Sequence, residues 1–191
     1  MGLLSAEAIA AMGFASVGRN VRISDRASFY GCSRIHLGDD VRIDDFCVFS
    51  AGKGGISIGS HVHVAVYACL IGAACIQLED FANISSRVSI YSSSDDYSGE
   101  TMTNPTVPDE YKAVDHAPVR IGRHVVIGSG SVVLPGAVLE EGVAVGALSL
   151  MRGMSSAFGV YAGIPARRVR ERARDLLVLE QEFLRRKAET A

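Results

Sequence analysis

Tryptophan is absent from the 191-residue sequence, and aromatic residues of all kinds make up only 7% of it. A core built on a few large rings is therefore excluded. An excess of either charge is lacking too, with 19 Lys and Arg against 21 Asp and Glu, a net of −2. That balance offers no general attraction for nucleic acid or an anionic membrane. The four cysteines, Cys32, Cys47, Cys69 and Cys75, form no CxxC or CxxxC pair and no zinc-ligand spacing. Neither a disulfide framework nor a metal site is expected from them. No long hydrophobic run occurs. The most apolar stretch, 125–139, is too short for a bilayer span, contains Pro135 and three glycines, and runs into Glu140 and Glu141. No positively charged, apolar-cored leader opens the chain. These absences set the expectation of a cytoplasmic protein with no membrane insertion and no nucleic-acid partner.

What the sequence has in quantity is glycine, 20 residues, and a period of six. Residues 121–138 read IGRHVV-IGSGSV-VLPGAV, with an aliphatic opener in each block (Ile121, Ile127, Val133) and a small residue four places later (Val125, Ser131, Ala137). Six fits neither a helix at 3.6 nor a plain strand at 2. It fits a parallel β-helix, in which short strands and tight turns close a triangular coil. Openers point into the prism, and small residues fill its corners.

The blocks can be followed from Val17, Ile23 and Phe29 through Leu37, Ile43, Phe49, Ile58, Val64, Leu70, Leu78, Ile84 and Ile90. They resume at Ile121 and close at Leu139, Val145 and Met151, with a partial coil at Val160. Six coils at about 4.8 Å each predict a prism about 29 Å tall. The expected fold is all-β, a left-handed parallel β-helix forming one domain over 1–191. Its expected parts are an N-terminal helical cap (1–16, with Ser5 as N-cap), the β-helix (17–164) and a C-terminal helix from Pro165 (165–191). That helix is expected to cover the open edge of the last coil. His61 and His124 share one column with Asp40 and Phe81, which predicts stacking between Asp40 and His61. Both histidines are read as solvated surface groups, and no histidine spacing fits a metal.

From Leu78 the next triplet starts 43 residues later, at Ile121. Residues 92–119 thus leave the prism as a polar loop with three prolines and no period. A loop this long in a compact repeat is usually functional or disordered. Tyr97, Tyr111 and the NPTVP run favour an ordered, projecting loop.

The hexads, the projecting loop, VVLPG and the AGIPARR near the end together resemble the hexapeptide-repeat acyltransferases, over about residues 17–170. Within them the chain is similar to the sugar O- and N-acetyltransferases. The resemblance implies an acyl-CoA cosubstrate, acetyl in the first instance, lying between prisms of a homotrimer. It implies Gly128, Ser129, Ala147 and Ser149 along the pantetheine arm, with Arg152, Arg167 and Arg168 near the phosphates. In galactoside-type members a histidine serves as base for a sugar hydroxyl where this chain has Asp95. A carboxylate suits an amine, which already carries a lone pair once deprotonated. The expected acceptor is therefore the amine of a nucleotide-linked amino sugar, used in surface polysaccharide synthesis, with Asp95 as base and Asn83, Asp96 and Tyr97 as acceptor contacts. The alternatives are O-acetylation with His116 as base and a non-catalytic scaffold whose loop binds a partner.

Overall fold

The computed structural model describes residues 2–189. Three parallel sheets form the walls of a prism. The first contains Ile35–Leu37, Ile56–Ile58, Ile76–Leu78 and Val119–Ile121, and the second Arg42–Ile43, His63–Val64, Asn83–Ile84 and Val126–Ile127. The third contains Val48–Ala51, Cys69–Gly72, Ser89–Tyr91 and Val132–Val133. From Val17 to Met151 every block opener pairs with the opener of the next coil, but Val145 pairs with Tyr161 and not with Val160, so the partial coil opens one residue later than the period of six placed it. Along the second sheet the register runs Ile23, Ile43, Val64, Ile84, Ile127, Val145. All six are buried. The core is one continuous cluster of mostly aliphatic side chains, with Phe29 stacked on Phe49 at 4.9 Å in the third wall.

The corners follow from the same period. Four places after the opener, Val41, Cys47, Val62, Ala68, Ala82, Val88, Val125, Ser131 and Val143 are buried where two walls meet. Three places after it the backbone turns through a left-handed conformation, at Asn20, Asp40, His61, Phe81, His124 and Gly142 on the first corner. Adjacent coils approach closely there. A Cβ on Gly38 would lie 2.7 Å from the carbonyl carbon of Gly59, so glycine is what the spacing admits. Cys47 fills its corner slot as a free thiol, and burial pushes its pKa up to about 11.

Helix α1 (Ala6–Ala11) closes the first coil. It is capped by Ser5, which accepts from the Ala8 amide at 3.2 Å, and it buries Ile9. It is shorter than 1–16 because Gly13 turns left-handed just beyond it, and Phe14 then packs edge-on against Phe29.

The C-terminal segment departs from expectation. Pro165 starts no helix. Strands Gly159–Gly163 and Ala166–Glu171 form an antiparallel hairpin, with Ile164 and Pro165 in its turn, and this hairpin extends the second sheet beyond the last coil. Helix α2 (Leu176–Glu189) begins later and covers no coil end. It runs back along the first corner. Its Glu180 carboxylate accepts from His124 Nε2 at 2.7 Å and Arg123 Nε at 3.3 Å. Phe183 packs edge-on against the rings of His61 and Phe81, and Lys187 reaches Asp40. The column read from the sequence is real, with His61 stacked on Phe81 at 4.9 Å, Phe81 on His124 at 5.0 Å, and Asp40 3.6 Å from His61. The two histidines are not solvated, because α2 lies over them and leaves their side chains 18% and 11% exposed.

Phe183 is the apolar anchor of this docking. Phe183→Ala should cost about 1–2 kcal/mol, less than full burial because the ring stays half-exposed. Amide exchange is expected to quicken at least tenfold across 176–189 while the coil amides keep their protection.

Candidate active site

The loop leaves the prism at the third corner, where other coils carry their extra residues. Ser92 anchors it. Its side chain is fully buried, its Oγ donates to the Ala74 carbonyl at 2.7 Å, and its carbonyl accepts from the Ala117 amide at 3.1 Å. Both ends of the loop are thus tied at one point. Immediately outward, Ser93–Ser94 pairs antiparallel with Asp115–His116, Ser93 facing His116. Val119 is already back in the first sheet.

A groove of about 370 Å³ opens beside this two-stranded root. Tyr91, Ser93, Ser94, Asp95 and Tyr97 line one side, while Val132, Leu134 and Pro135 from the next coil form an apolar floor. Asp95 is exposed, and among the described residues its carboxylate has no hydrogen-bond or ion-pair partner. It is therefore free to accept from a ligand. Tyr97 stands 93% exposed at the rim.

Asp96, expected to touch the acceptor, is engaged inside the loop. Its oxygens accept from the Ser98 amide at 2.7 Å, the Thr101 amide at 3.0 Å and the Thr101 hydroxyl at 2.9 Å. These donors, the Ser98 amide first, hold its pKa down to about 2. It is a fixed anion that shapes the loop.

His116 is brought to the groove's edge but faces Ser93. Its Nδ1 lies 2.8 Å from Ser93 Oγ, which accepts from the Ala73 amide at 2.7 Å. Asn83 is not brought to the groove. It is exposed on the second sheet, between His63 and Val126, while the groove lies on the third.

Ser129 and Ala147 are exposed on the second corner of adjacent coils, joined by the Leu148 amide donating to the Ser129 carbonyl at 2.9 Å. A Cβ on Gly128 would press on the backbone of Gly146 and Ala147, so this glycine sets the coil spacing. Ser149 is a correction. It is buried, and its Oγ bonds the Ala147 carbonyl at 3.4 Å and the Gly163 amide at 3.1 Å. It fills a corner, four places after Val145, and not the exposed surface expected of it. Arg152 and Arg167 are exposed without an ion pair among the described residues, whereas Arg168 is paired with Glu171. Tyr91, Ser93 and the Leu134–Pro135 floor escaped the sequence reading. VVLPG held a signal for the floor, but nothing in the sequence marks Ser93 as the partner of His116.

No family model matches the chain. It is 57% identical over 172 residues to the dTDP-4-amino-4,6-dideoxy-D-glucose acyltransferase of Escherichia coli, covering 90% of each protein. It is 29% identical over 136 residues to the putative lipopolysaccharide biosynthesis O-acetyl transferase WbbJ of Escherichia coli K12, covering 70% of this chain and 67% of that one. Among solved structures it is similar to AntD, an N-acyltransferase from Bacillus cereus, in an aspartate-to-asparagine variant complexed with dTDP and coenzyme A. That match has 43% identity and a TM-score of 0.92, over 97% of this chain and 99% of that one.

Asp96→Ala should leave thermal stability of the prism unchanged while amide exchange across 96–101 rises tenfold or more. In the wild type the ordering is fully present above the ordinary carboxylate pKa of 3.8. It should be lost as pH falls through about 2, read by the same exchange experiment.

Proposed function

The chain belongs to the hexapeptide-repeat sugar acyltransferases, and on that footing we propose that it transfers an acyl group from CoA to the 4-amine of dTDP-4-amino-4,6-dideoxyglucose. The observation that carries this is the identity over nine-tenths of both chains to an acyltransferase named for that sugar. The unpartnered carboxylate of Asp95 at the groove agrees with it.

In this reading the deprotonated amine enters the groove with one N–H directed at Asp95. Attack on the thioester carbonyl forms the C–N bond and leaves positive charge on nitrogen, which Asp95 relieves by accepting a proton. Collapse of the tetrahedral species breaks the C–S bond. The CoA sulfur leaves as thiolate and ends as thiol, so the proton lost by the amine balances the one gained by sulfur. His116 shapes the groove through Ser93, and Tyr97 at the rim contacts the acceptor.

CoA runs along Gly128, Ser129 and Ala147, with Arg152 and Arg167 placed for its phosphates. The groove beside the loop root is open to solvent where Asp95 and Tyr97 are exposed, and in this reading a neighbouring prism of a homotrimer closes it. The acylated sugar serves surface polysaccharide assembly, the setting in which WbbJ is named. That O-acetyl transferase relative keeps a second reading open, a hydroxyl acceptor with His116 as base.

Incubation with acetyl-CoA and dTDP-4-amino-4,6-dideoxyglucose, with free thiol followed, tests the reaction directly. Asp95→Asn should lower kcat by roughly 10²–10⁴ with little change in KM for acyl-CoA. His116→Asn should be much milder. The reverse pattern would transfer the base to the histidine and the acceptor to a hydroxyl. Light scattering should give three times the chain mass at micromolar concentration, and a monomer would remove the shared groove.

A further inference from the structure

The third corner carries a glycine-rich run that acyl transfer does not use. Residues 51–55 read AGKGG and supply the extra chain of the second coil. Beside them a recess of about 240 Å³ opens on the first wall, around the corner from the groove. Ser33, Arg34, His36, Lys53, Ser57 and Cys75 line it, and no lining residue is a carboxylate.

The recess is built by close backbone packing and by one fixed guanidinium. Gly55 is left-handed at φ 75°, and a Cβ there would lie 2.8 Å from the Arg34 carbonyl oxygen. A Cβ on Gly54 would run into the backbone of Ala74 and Cys75, so the corner lies flat on the next coil. Arg34 Nε donates to the Gly52 carbonyl at 2.8 Å and Nη2 to the Ala51 carbonyl at 2.7 Å, while its Nη1 makes no hydrogen bond among the described residues. Lys53 has neither a hydrogen-bond nor an ion-pair partner among the described residues. His36 has its Nδ1 3.0 Å from Ser16 Oγ, which leaves Nε2 open.

We propose that this recess binds a phosphate group, as free phosphate or a small phosphomonoester, and that the bound anion steadies the root of the loop. Nothing in this rests on the acyl-transfer reading. Cations gathered with no counter-charge repel one another, and an anion among them reverses that term. A phosphate turns acceptor oxygens in several directions, which suits a guanidinium, an ammonium, an imidazole and two hydroxyls around one space. A carboxylate offers two oxygens in one plane. The volume falls below the roughly 300–1,000 Å³ of sites for drug-sized ligands, so neither a nucleotide nor CoA fits inside. The one large aliphatic lining residue, Ile56, is buried, so no apolar rim is present to seat a lipid.

The recess lies directly under the anchors of the loop. The Gly54 amide donates to the Ala73 carbonyl at 2.7 Å, and the Ala73 amide donates to Ser93 Oγ at 2.7 Å. On the other side the Cys75 carbonyl accepts from the Val119 amide at 2.9 Å. An anion that fixes this corner therefore restrains both ends of the loop.

The test is calorimetric titration of the full-length protein with inorganic phosphate, in the presence of CoA and dTDP so that any sites of their own are filled. Saturable binding is expected, with sulfate competing and acetate weaker by about tenfold or more. Lys53→Gln should weaken phosphate by about tenfold or more, as the loss of one charge-assisted bond does. Arg185→Gln, which removes a cation from α2, should change it by less than about twofold, the scale of screening alone. Phosphate should also slow amide exchange across 52–55 and at Ala73 in the wild type, and not in Lys53→Gln. Absence of saturable binding, or equal affinity in Lys53→Gln, would overturn the site, and so would binding only to vesicles bearing phosphatidic acid. Binding with unchanged exchange at Ala73 would overturn the link to the loop. No outcome passes through turnover, so failure of the acyl-transfer reading remains distinguishable from failure of this one.

Discussion

In-register stacking is the constraint on which the rest of this structure depends. Once each residue sits directly above its hexad equivalent, a sequence position becomes a physical column, and each column takes one kind of chemistry. Inward columns must be apolar, aliphatic in most coils and aromatic where Phe29 stacks on Phe49. Corner columns must be small, and a polar corner residue is tolerated only with its partners supplied. Ser131 meets that condition by donating to the Gly146 carbonyl and accepting from the Ser149 amide. Outward columns are the only ones left free for function.

The same constraint explains where the insertion sits. The first two corners are tight turns in every complete coil. The third already varies in length, so extra chain there disturbs no register. Twenty-odd residues leave and return between Ser92 and Ala117 at the cost of one corner. Ser92 is polar and fully buried, and it bonds to Ala74 and Ala117, which lets the coil close behind the loop. Beyond that anchor the loop is organised by its own bonds, chiefly those to Asp96. Two adjacent aspartates therefore diverge in role. Asp96 is saturated and Asp95 bare, and the difference comes from which side chain points back into the turn.

Legibility followed periodicity. The openers, the corner residues, the loop position, the Ser5 cap and the Asp40–His61 contact were all readable, because each depends on a spacing that repeats. The C-terminal segment was not. Pro165 looks like a helix start, but Gly159–Gly163 leaves an unpaired strand edge, and the antiparallel return of Ala166–Glu171 satisfies it. The docking of α2 was hidden for another reason. Glu180, Phe183 and Lys187 meet a column 56 to 147 residues distant, and no local pattern encodes that pairing. Ser149 was read as surface although its own hexad position marked it as corner filling. Asp95 and Asp96 could not be told apart, since neighbouring carboxylates differ only in what the fold brings to them.

The two aromatic corner columns show how one strained backbone position can serve opposite ends. At the first corner His61, Phe81 and His124 accept left-handed backbone, and α2 then buries the stack they form. The strain there is offset within the chain by burial and by the pairing of Glu180 and Lys187. At the second corner the same geometry is imposed on Phe46, Tyr67 and Arg87, and Phe46 and Tyr67 stay 42% and 50% exposed. Local strain that the surrounding structure does not relieve concentrates at sites of binding. The contrast is internal to one molecule, with equal backbone demands and similar rings, so differences of fold or composition cannot account for it. What distinguishes the columns is their edge chemistry. The carboxylate of Glu180, the amine of Lys187 and the guanidinium of Arg123 close the covered stack from within the chain. Guanidinium groups end the open one, Arg26 with Asp45 at 3.8 Å and Arg87 over Tyr67.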